Sequence, residues 1–527
     1  MRLGRTEAWL AEVRTLLQSS RLDEAEARCR QAPRNVDHAD VPHYRGLLAL
    51  KLGRIEEAVA LLRCAIAMAP DRADILSNLG AACRVASDKV RAERSYRIAL
   101  TLNPLAAETA YNLGNLRKEL GIADPALAAY RRSLVLNPAY AKAHYNMGLT
   151  RQEQRRLGAA ETSYRRAIAA AGGNYPEAWL NLGMTMQKEG RPEEALTCYD
   201  RLLAAEPGNA NARWNRALAR LVTGRMTEGW ADYEARWGLE GVTPPSHPQP
   251  VWQGESLAGR TLLVEMEQGH GDTLQFVRYL PLLIASGARV VLRCQKPLVR
   301  LLSAAFPDVQ VLPADAEPPP FDVHVPLMSL PWHLGGTLEA IPAEVPYLHP
   351  LPSPPSYVLE REAGTLSVGL VWGGEPNHKG DAQRSIPLAS LRPLFEVPGV
   401  RWHSLQKGAR ERELAAPDAP RGLVDLAPFI GDFADTAALV KQLDLVISVD
   451  TAVCHLTGTL GHPAWVLLPY APDWRWLLRR TDSPWYPTLQ LFRQPALDDW
   501  ASVIALVAAR LADVASGRRP LLDMDRA

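Results

Sequence analysis

A period of 34 residues constrains this chain more than any other feature. Four similar motifs, SNLG, YNLG, YNMG and LNLG, place glycines 34, 34 and 35 residues apart. The positions that keep this step are the glycines Gly80, Gly114, Gly148 and Gly183, the tyrosines Tyr96, Tyr130, Tyr164 and Tyr199, and the prolines Pro70, Pro104 and Pro138. Such a period predicts stacked helical pairs, because one pair cannot bury its apolar face alone.

Small residues and aromatics alternate within each unit, which predicts close helix pairs with a tyrosine filling the gap and a proline ending the second helix. This pattern resembles the tetratricopeptide repeat. We expect about six repeats between residues 6 and 207, followed by a degenerate capping unit that ends at Trp237.

One polar residue recurs two positions before the repeated glycine or alanine, although asparagine is a poor helix former. The positions are Asn78, Asn112, Asn146, Asn181 and Asn215. Tandem duplication of a tolerated residue, or capping of a neighbouring helix, is one explanation. The other is a ladder of amides that holds the backbone of an extended peptide. The O-linked N-acetylglucosamine transferase type of repeat has asparagines at this position for that purpose, so the resemblance implies a protein acceptor in the groove of the repeats.

The helical period stops at a proline-rich stretch, GLEGVTPPSHPQPVW, after which strand and helix patterns alternate. We expect strands at TLLVEM, ARVVLRC, VQVLP, DVHVPL, LSVGLVW, VRWHSLQ, LDLVISV and AWVLLP. Alternation predicts parallel sheets covered by helices, with ligands at the carboxyl ends of the strands. We predict a repeat array over 1–240, a linker over 241–252, one Rossmann-like half over 253–345, a second linker over 346–365, and another half over 366–527. A helix is expected over 273–286.

Three strand-end loops carry candidate chemistry. In EQGHGDT, Asp272 is either a helix cap, with Gln275 reaching back, or a catalytic base. In VWGGEPNHKGDAQRS, Gly373 and Gly374 are expected to expose N–H groups to an anion, with Lys379 and Arg384 nearby. In SVDTAVCHL, Asp450, Thr451 and His455 start a helix whose N-terminus suits an anion. For a lone motif, a helix cap at Asp450 and an ordinary half-buried histidine at His455 are the favoured explanation.

Together the loops resemble those of heptosyltransferase-like glycosyltransferases with the GT-B fold (family 9-like), over residues 252 to about 515. EGW..YE.RW, EQG.GDT.QF.RY and DWRW...R.DSPWYP are closer still to bacterial tetratricopeptide-repeat glycosyltransferases, a group that includes flagellin-modifying enzymes. The resemblance implies Asp272 as base. It also implies donor contacts from Trp372, Gly373, Lys379, Arg384, Gln406, Asp450, Thr451, His455 and Arg475. His270 departs from the group's apolar residue, and it either assists Asp272 or lines the mouth of the site.

The segment APDWRWLLRRTDSPWYP, residues 471–487, could stack on a ligand or could be rigid loop packing, and both alternatives stay open. No loop carries a metal-binding motif, so we expect a metal-independent reaction. The resemblance implies an inverting transfer without cofactor, from a nucleotide-sugar donor to protein Ser or Thr hydroxyls. The alternatives are a saccharide or lipid acceptor, or a repeat scaffold with an inactive GT-B domain.

Composition excludes some classes of partner and location. Lysine plus arginine number 59 against 58 acidic residues, so no overall field favours nucleic acid. Six scattered cysteines without a CxxC pair fit reduced thiols. No apolar run is long enough to span a membrane. These features predict a cytoplasmic protein.

Overall fold

The computed structural model describes residues 2–31, 38–351, 355–377 and 380–522. The chain forms two compact units, Met1–Thr185 and Met186–Ala527. The border between them lies within the repeat array, whereas the predicted borders at residues 240, 252, 345 and 365 stay predictions.

The first unit consists of helices whose lengths and spacing follow the repeat period. They are α1 Arg2–Gln18, α2 Leu22–Arg30, α3 Asp40–Lys51, α4 Ile55–Met68, α5 Ala73–Val85, α6 Lys89–Leu102, α7 Ala107–Glu119, α8 Ala123–Leu136, α9 Ala141–Glu153 and α10 Leu157–Ala170, and α11 Pro176–Lys188 crosses the border.

Close helix pairs in this unit depend on glycine facing tyrosine. A Cβ atom added at Gly80, Gly114 or Gly148 would lie 2.7, 2.5 or 2.5 Å from a ring carbon of Tyr96, Tyr130 or Tyr164, respectively. All three rings are fully buried. The predicted pairing of small and aromatic positions is therefore confirmed for these repeats, because no other residue leaves room for the ring.

The second unit begins with repeat helices that pack on the α/β region. They are α12 Pro192–Ala205, α13 Ala210–Val222 and α14 Met226–Tyr233, followed by a 3₁₀ helix, Glu234–Gly238. Trp230 lies edge-on to Trp474 at 5.2 Å between ring centroids. Arg236, which is 3% exposed, pairs with Glu267 at 2.7 Å. The degenerate capping repeat thus shares one hydrophobic core with the sheets.

Two parallel sheets follow. The strands are β1 Thr261–Glu265, β2 Arg289–Cys294, β3 Val309–Pro313, β4 Val323–Pro326, β5 Leu366–Val371, β6 Val400–Ser404, β7 Leu423–Asp425, β8 Leu445–Val449, β9 Ala464–Leu468 and β10 Leu489–Arg493. The first sheet has the order β3-β2-β1-β4, and the second has the order β10-β9-β8-β5-β6-β7. Every pairing among these strands is parallel, as the alternating pattern predicted.

Helices connect these strands. They are α15 His270–Phe276, α16 Leu280–Ala285, α17 Lys296–Ala305, α18 Leu330–His333, α19 Asp381–Arg384, α20 Arg392–Phe395, α21 Phe433–Val440, α22 Ala452–Thr459 and α23 Trp500–Ala515. The single helix expected over 273–286 is wrong, because a 3₁₀ turn at Val277–Tyr279 separates α15 from α16. Pro281, near the start of α16, lacks the N–H group that a continuous helix would use.

Candidate functional site

Chain order reverses at one point in each sheet. In the first sheet β2 and β3 lie on one side of β1, and β4 lies on the other. In the second, β6 and β7 lie on one side of β5, and β8 to β10 lie on the other. Parallel sheets bind ligands beside the carboxyl ends of the strands at such reversals. The three candidate loops follow β1, β5 and β8, so each adjoins a reversal point.

Asp272 occupies the third position of α15, and both of its carboxylate oxygens are engaged. Its Oδ2 accepts a hydrogen bond from the N–H of Gly269 at 2.8 Å. Its Oδ1 pairs with the guanidinium of Arg475. Asp272 is therefore the residue that reaches back to the helix start. The expected capping role of Gln275 is wrong, because its Oε1 accepts from Arg475 Nε at 2.9 Å.

Arg475 connects the two sheets at this point. Its side chain is 9% exposed, and its Nη1 lies 2.8 Å from Asp473 Oδ1. Burial alone would lower the pKa of Arg475, but the carboxylates of Asp473 and Asp272 outweigh it, so the pKa is raised and the guanidinium keeps its charge. A permanent cation thus lies beside the carboxylate of Asp272.

The aromatic residues of segment 471–487 are buried. Trp474, Trp476, Trp485 and Tyr486 are each at most 4% exposed. Arg480 pairs with its neighbour Asp482. For these residues the packing alternative is supported, whereas Arg475 alone reaches Asp272.

The start of α15 touches the start of α22. A Cβ atom at Gly271 would lie 2.8 Å from His455 Cδ2 and 3.5 Å from Ala452 Cα. A larger residue beside Asp272 would push these helices apart. The first and third candidate loops are therefore in direct contact, which brings Asp272 close to the residues after β8.

His455 is held from several sides. Its Nδ1 lies 3.0 Å from the hydroxyl of Tyr486, and its ring stacks on Trp476 at 5.4 Å between centroids. Its Nε2 lies 3.7 Å from Asp450 Oδ1. Burial would raise the pKa of Asp450, but His455, Arg384 and Trp476 outweigh it and lower the pKa. Asp450 is therefore an ionised acceptor at the end of β8.

Thr451 is the N-cap residue of α22. Its Oγ1 lies 3.1 Å from the hydroxyl of Ser448 and does not cap its own helix. The first-turn N–H groups of α22 thus lack a side-chain cap from Thr451, and they adjoin the carboxylate of Asp450. Whether Thr451 holds a nucleotide stays a prediction.

Backbone N–H groups of the loop after β5 donate hydrogen bonds to side chains of this protein. Gln406 Oε1 accepts from the N–H groups of Trp372 and Gly373 at 3.1 and 3.0 Å. The N–H of Gly374 donates to Ser385 Oγ at 3.0 Å. The expectation that both glycines expose free N–H groups is therefore wrong. Gln406, 2% exposed, acts here on the loop backbone, and the indole of Trp372 is fully buried in the core, so neither side chain is open to a donor.

Two arginines lie around this loop. A Cβ atom at Gly374 would lie 2.6 Å from Arg384 Nη2, and one at Gly373 would lie 1.9 Å from Arg410 Cδ. The carboxylate of buried Asp381 pairs with both arginines. Its Oδ1 lies 3.7 Å from Arg384 Nε, and its Oδ2 lies 3.2 Å from Arg410 Nη2. Arg410 was not predicted as a site residue, because it follows a different strand and no sequence motif marks it. Lys379 lies outside the described residues.

Among the described residues, the hydrogen-bond and ion-pair partners of Asp272 are Gly269 and Arg475, not His270. The centroid of the His270 ring lies 5.2 Å from the ring centroid of Phe433, a residue of α21. Burial lowers the pKa of His270, so the imidazole is neutral at pH 7. This position favours the alternative that His270 lines the mouth of the site over the alternative that it assists Asp272. The part of His270 in catalysis stays a prediction.

The asparagine ladder of the first unit bridges successive repeats. Asn146 Nδ2 donates to the hydroxyl of Tyr111 at 2.9 Å and to Asn115 Oδ1 at 2.8 Å. Asn181 Nδ2 donates to the hydroxyl of Tyr145 at 3.0 Å. Asn78 Nδ2 lies 2.9 Å from His43 Nε2. Tyr111, Tyr145 and His43 each precede the ladder position one repeat earlier, and Asn115 lies one turn further along the same helix as Tyr111.

Asn112 differs from the other ladder asparagines of the first unit, because in the part of the chain that the structure describes it makes no bridge to the preceding repeat. The equivalent partner would be Ser77, whose short hydroxyl instead accepts from Thr109 Oγ1 at 2.9 Å. Among the hydrogen bonds of the described residues, none involves the Asn112 amide. In the second unit, Asn215 donates within its own helix, to Asn211 O at 2.8 Å. The ladder amides are half-buried.

Two groups of side chains within the described ranges could hold a metal ion by composition and spacing: Asp450, Cys454 and His455, and His247, Glu265 and His324. In the first group, burial and the nearby Asp450 raise the pKa of the Cys454 thiol well above its usual value. A protonated thiol is a poor metal ligand. The prediction of a metal-independent reaction is untested and stays a prediction.

A helical repeat array that precedes parallel α/β sheets defines the class of this protein. Residues 45–107, 111–176 and 180–237 match the tetratricopeptide repeat. The chain is thus a tetratricopeptide-repeat-containing protein. Within the described ranges, no helix has the length and apolar character needed to cross a bilayer. A cytoplasmic location stays a prediction.

Among known proteins, the chain is similar to Protein FlbA of Caulobacter vibrioides, with 28% identity over 328 residues. The match covers 57% of this chain and 55% of FlbA, so the chain spans about half the length of that relative. Solved structures with similarity include Pseudomonas aeruginosa PilF (19% identity, 41% of this chain, 98% of that chain, TM-score 0.37) and MamA (22%, 33%, 93%, 0.30).

Proposed function

We propose that this protein is an inverting glycosyltransferase that moves a sugar from a nucleotide-sugar donor to a hydroxyl group of a protein held by the repeats. One observation carries the proposal. The loops after β1 and β8 meet where Gly271 touches His455, and this contact brings Asp272, Asp450 and the N-terminus of α22 to the reversal points of two parallel sheets. A GT-B fold is part of the proposal.

The proposed step is a single displacement. The acceptor hydroxyl oxygen attacks the anomeric carbon, the bond from that carbon to the diphosphate oxygen breaks, and Asp272 takes the hydroxyl proton. Negative charge then collects on the leaving diphosphate. Arg384, Arg410 and the first turn of α22 are the nearby groups that would stabilise it.

The ion pair with Arg475 bears directly on this step. Asp272 Oδ1 is paired with the guanidinium, and Oδ2 holds the start of α15. Each oxygen keeps a second lone pair, but the guanidinium competes with the hydroxyl proton for Oδ1. We expect the incoming acceptor to displace Arg475 from Asp272. Arg475 then keeps Asp473 and Gln275 as partners.

The proposed acceptor is an extended protein segment. The amide N–H groups of Asn146 and Asn181 are used between repeats, while no hydrogen bond among the described residues reaches their Oδ1 atoms. Amide oxygens can accept from peptide N–H groups whatever the peptide's sequence. Acceptor choice would then follow from the array.

Calorimetry with a panel of nucleoside diphosphates and nucleotide sugars tests the donor site. Asp450→Ala and Arg384→Ala should each weaken binding by about 1 to 3 kcal/mol, the scale for hydrogen bonds to charged groups. Exposed Arg392→Ala is the matched control and should bind normally. Unchanged affinity in both site variants would contradict this donor site.

The engaged state of Asp272 favours a second candidate, a repeat scaffold whose α/β region has no transfer activity. Absence of binding to every nucleotide in the panel would support it. A third outcome concerns the acceptor. Incubation with labelled donor and cell lysate places label on protein under our proposal, and on saccharide or glycolipid under the alternative.

A further inference from the structure

The connector between the repeats and the first sheet meets two strands at a cluster of two imidazoles and one carboxylate. His247 lies on the connector, Glu265 ends β1, and His324 lies in β4. His247 Nε2 is 2.8 Å from Glu265 Oε2, and His324 Nδ1 is 4.0 Å from the same oxygen. The two imidazole rings lie 4.8 Å apart between centroids, tilted by 73°.

Backbone pairing fixes the positions of these residues. Leu263 pairs with His324 across the two parallel strands. Since side chains two residues apart share a face, Glu265 points to the same side as Leu263 and His324. The connector adds to the edge of β4, where His324 N donates to Pro250 O at 3.1 Å and Trp252 N donates to His324 O at 2.8 Å. Two of the three groups are thus on rigid strands, and the third is anchored beside them.

One polar atom in the cluster has no partner. His324 is 2% exposed, and its Nδ1 is buried without a hydrogen bond in the described structure. A buried polar atom left without a partner costs about 1 to 3 kcal/mol. A ligand that accepts a lone pair from this nitrogen would satisfy it.

We propose that His247, Glu265 and His324 bind a divalent transition-metal ion of the zinc type, which fastens the connector to the first sheet. Two imidazole nitrogens and one carboxylate oxygen are a known zinc ligand set, with water in the fourth position. Bond lengths of about 2.0 to 2.2 Å put tetrahedral ligand atoms about 3.3 Å apart. The two separations from Glu265 Oε2, 2.8 and 4.0 Å, bracket that value.

One charge opposes the ion. Arg293 Nη1 lies 3.1 Å from Glu265 Oε1, the other oxygen of the same carboxylate. The arginine holds the carboxylate in place and leaves Oε2 for the ion, in the manner of an outer partner that orients a ligand. The ion has a structural role here and takes no step in sugar transfer.

Titration of Zn²⁺ and Co²⁺ into the tag-free, chelator-treated full-length protein at pH 7.5 tests the site. We expect one ion per chain, a higher melting temperature with Zn²⁺, and the visible spectrum of tetrahedral Co²⁺ without a thiolate charge-transfer band. That missing band distinguishes this site from the one containing Cys454. His247→Gln should lower affinity more than about 100-fold, since loss of an outer partner alone costs 10- to 100-fold.

His349→Gln is the matched control, because His349 is an exposed histidine in the same unit. It should bind the ion as the parent protein does. His324→Gln is a second variant, but the residue is buried, so His247→Gln carries the test if that protein does not fold. No saturable binding, or binding that survives His247→Gln unchanged, would mean that the cluster is an ordinary histidine–glutamate hydrogen bond.

Discussion

Replacement of Asp272 by asparagine separates a catalytic role from a structural one. The aspartate has two acceptor oxygens in use, toward Gly269 N and Arg475. Asparagine has one acceptor oxygen, so one partner is lost and an NH₂ group faces a donor. Hydrogen bonds to charged groups contribute about 1.5 to 3 kcal/mol. Arg475 keeps two other acceptors, so we expect a loss of about 2 kcal/mol in the free energy of unfolding.

Asp473→Asn is the matched control. It also removes a carboxylate from Arg475, but Asp473 adjoins the 3₁₀ turn Trp474–Trp476, where its Oδ1 accepts from Arg475 N at 3.1 Å. Asparagine caps such a turn about as well. The side chain of Asp473 is 37% exposed. After discounting for solvent screening we expect a loss of about 1 kcal/mol or less.

Urea denaturation, calorimetry of nucleotide binding and the rate of nucleoside diphosphate release measure the three effects separately. A base at Asp272 predicts that Asp272→Asn lowers turnover by about 10² to 10⁴, with nucleotide affinity preserved. Asp473→Asn should keep turnover within about tenfold of the parent, since no proton acceptor is lost. Equal losses in both variants would refute the base assignment and leave Asp272 as a residue that positions Arg475.

Three further predictions follow from single contacts. In urea denaturation, Asn146→Ala should lower the free energy of unfolding by about 1 kcal/mol and Asn112→Ala by almost nothing. Both variants should weaken peptide capture in a pull-down. Equal stability losses would contradict the ladder geometry. Gly271→Ala should lower the free energy of unfolding by about 1 to 3 kcal/mol and impair nucleotide binding. Gly269→Ala should cost less stability in the same urea denaturation, because its Cβ would meet only one oxygen, at 3.4 Å. The pKa of Asp450 is lowered on folding, so its stabilisation is present above about pH 4 and lost as pH falls through the folded pKa; Asp450→Asn should flatten that acid limb.

Periodicity predicted most of the fold. The 34-residue step identified the repeats, and the alternation of apolar runs with helical patterns located eight of the ten strands in the described residues. The two strands that it missed, β7 and β10, are the edges of the second sheet. β7 has three residues, which is too short to show the alternation that marks a strand.

The site was predicted by residue type but not by contact. Asp272, Asp450 and Arg384 were identified from their loops, yet the pairing of Asp272 with Arg475 joins residues 203 positions apart. No period or motif encodes a contact of that range. For the same reason the use of the Gly373 N–H by Gln406, 33 positions away, was not predicted.

The ladder shows how one residue type can serve both of the explanations that its recurrence suggested. The NH₂ group of Asn146 holds the preceding repeat through Tyr111, which gives this copy of the asparagine a structural reason to persist. The oxygen of the same amide is not needed for that bond, so peptide binding adds to the structural role without competing with it. Removing the amide then has two separable consequences, and Asn112, whose amide has no hydrogen-bond partner among the described residues, isolates the second. The helix propensity that asparagine sacrifices, about half a kcal/mol, is smaller than one such bridge contributes.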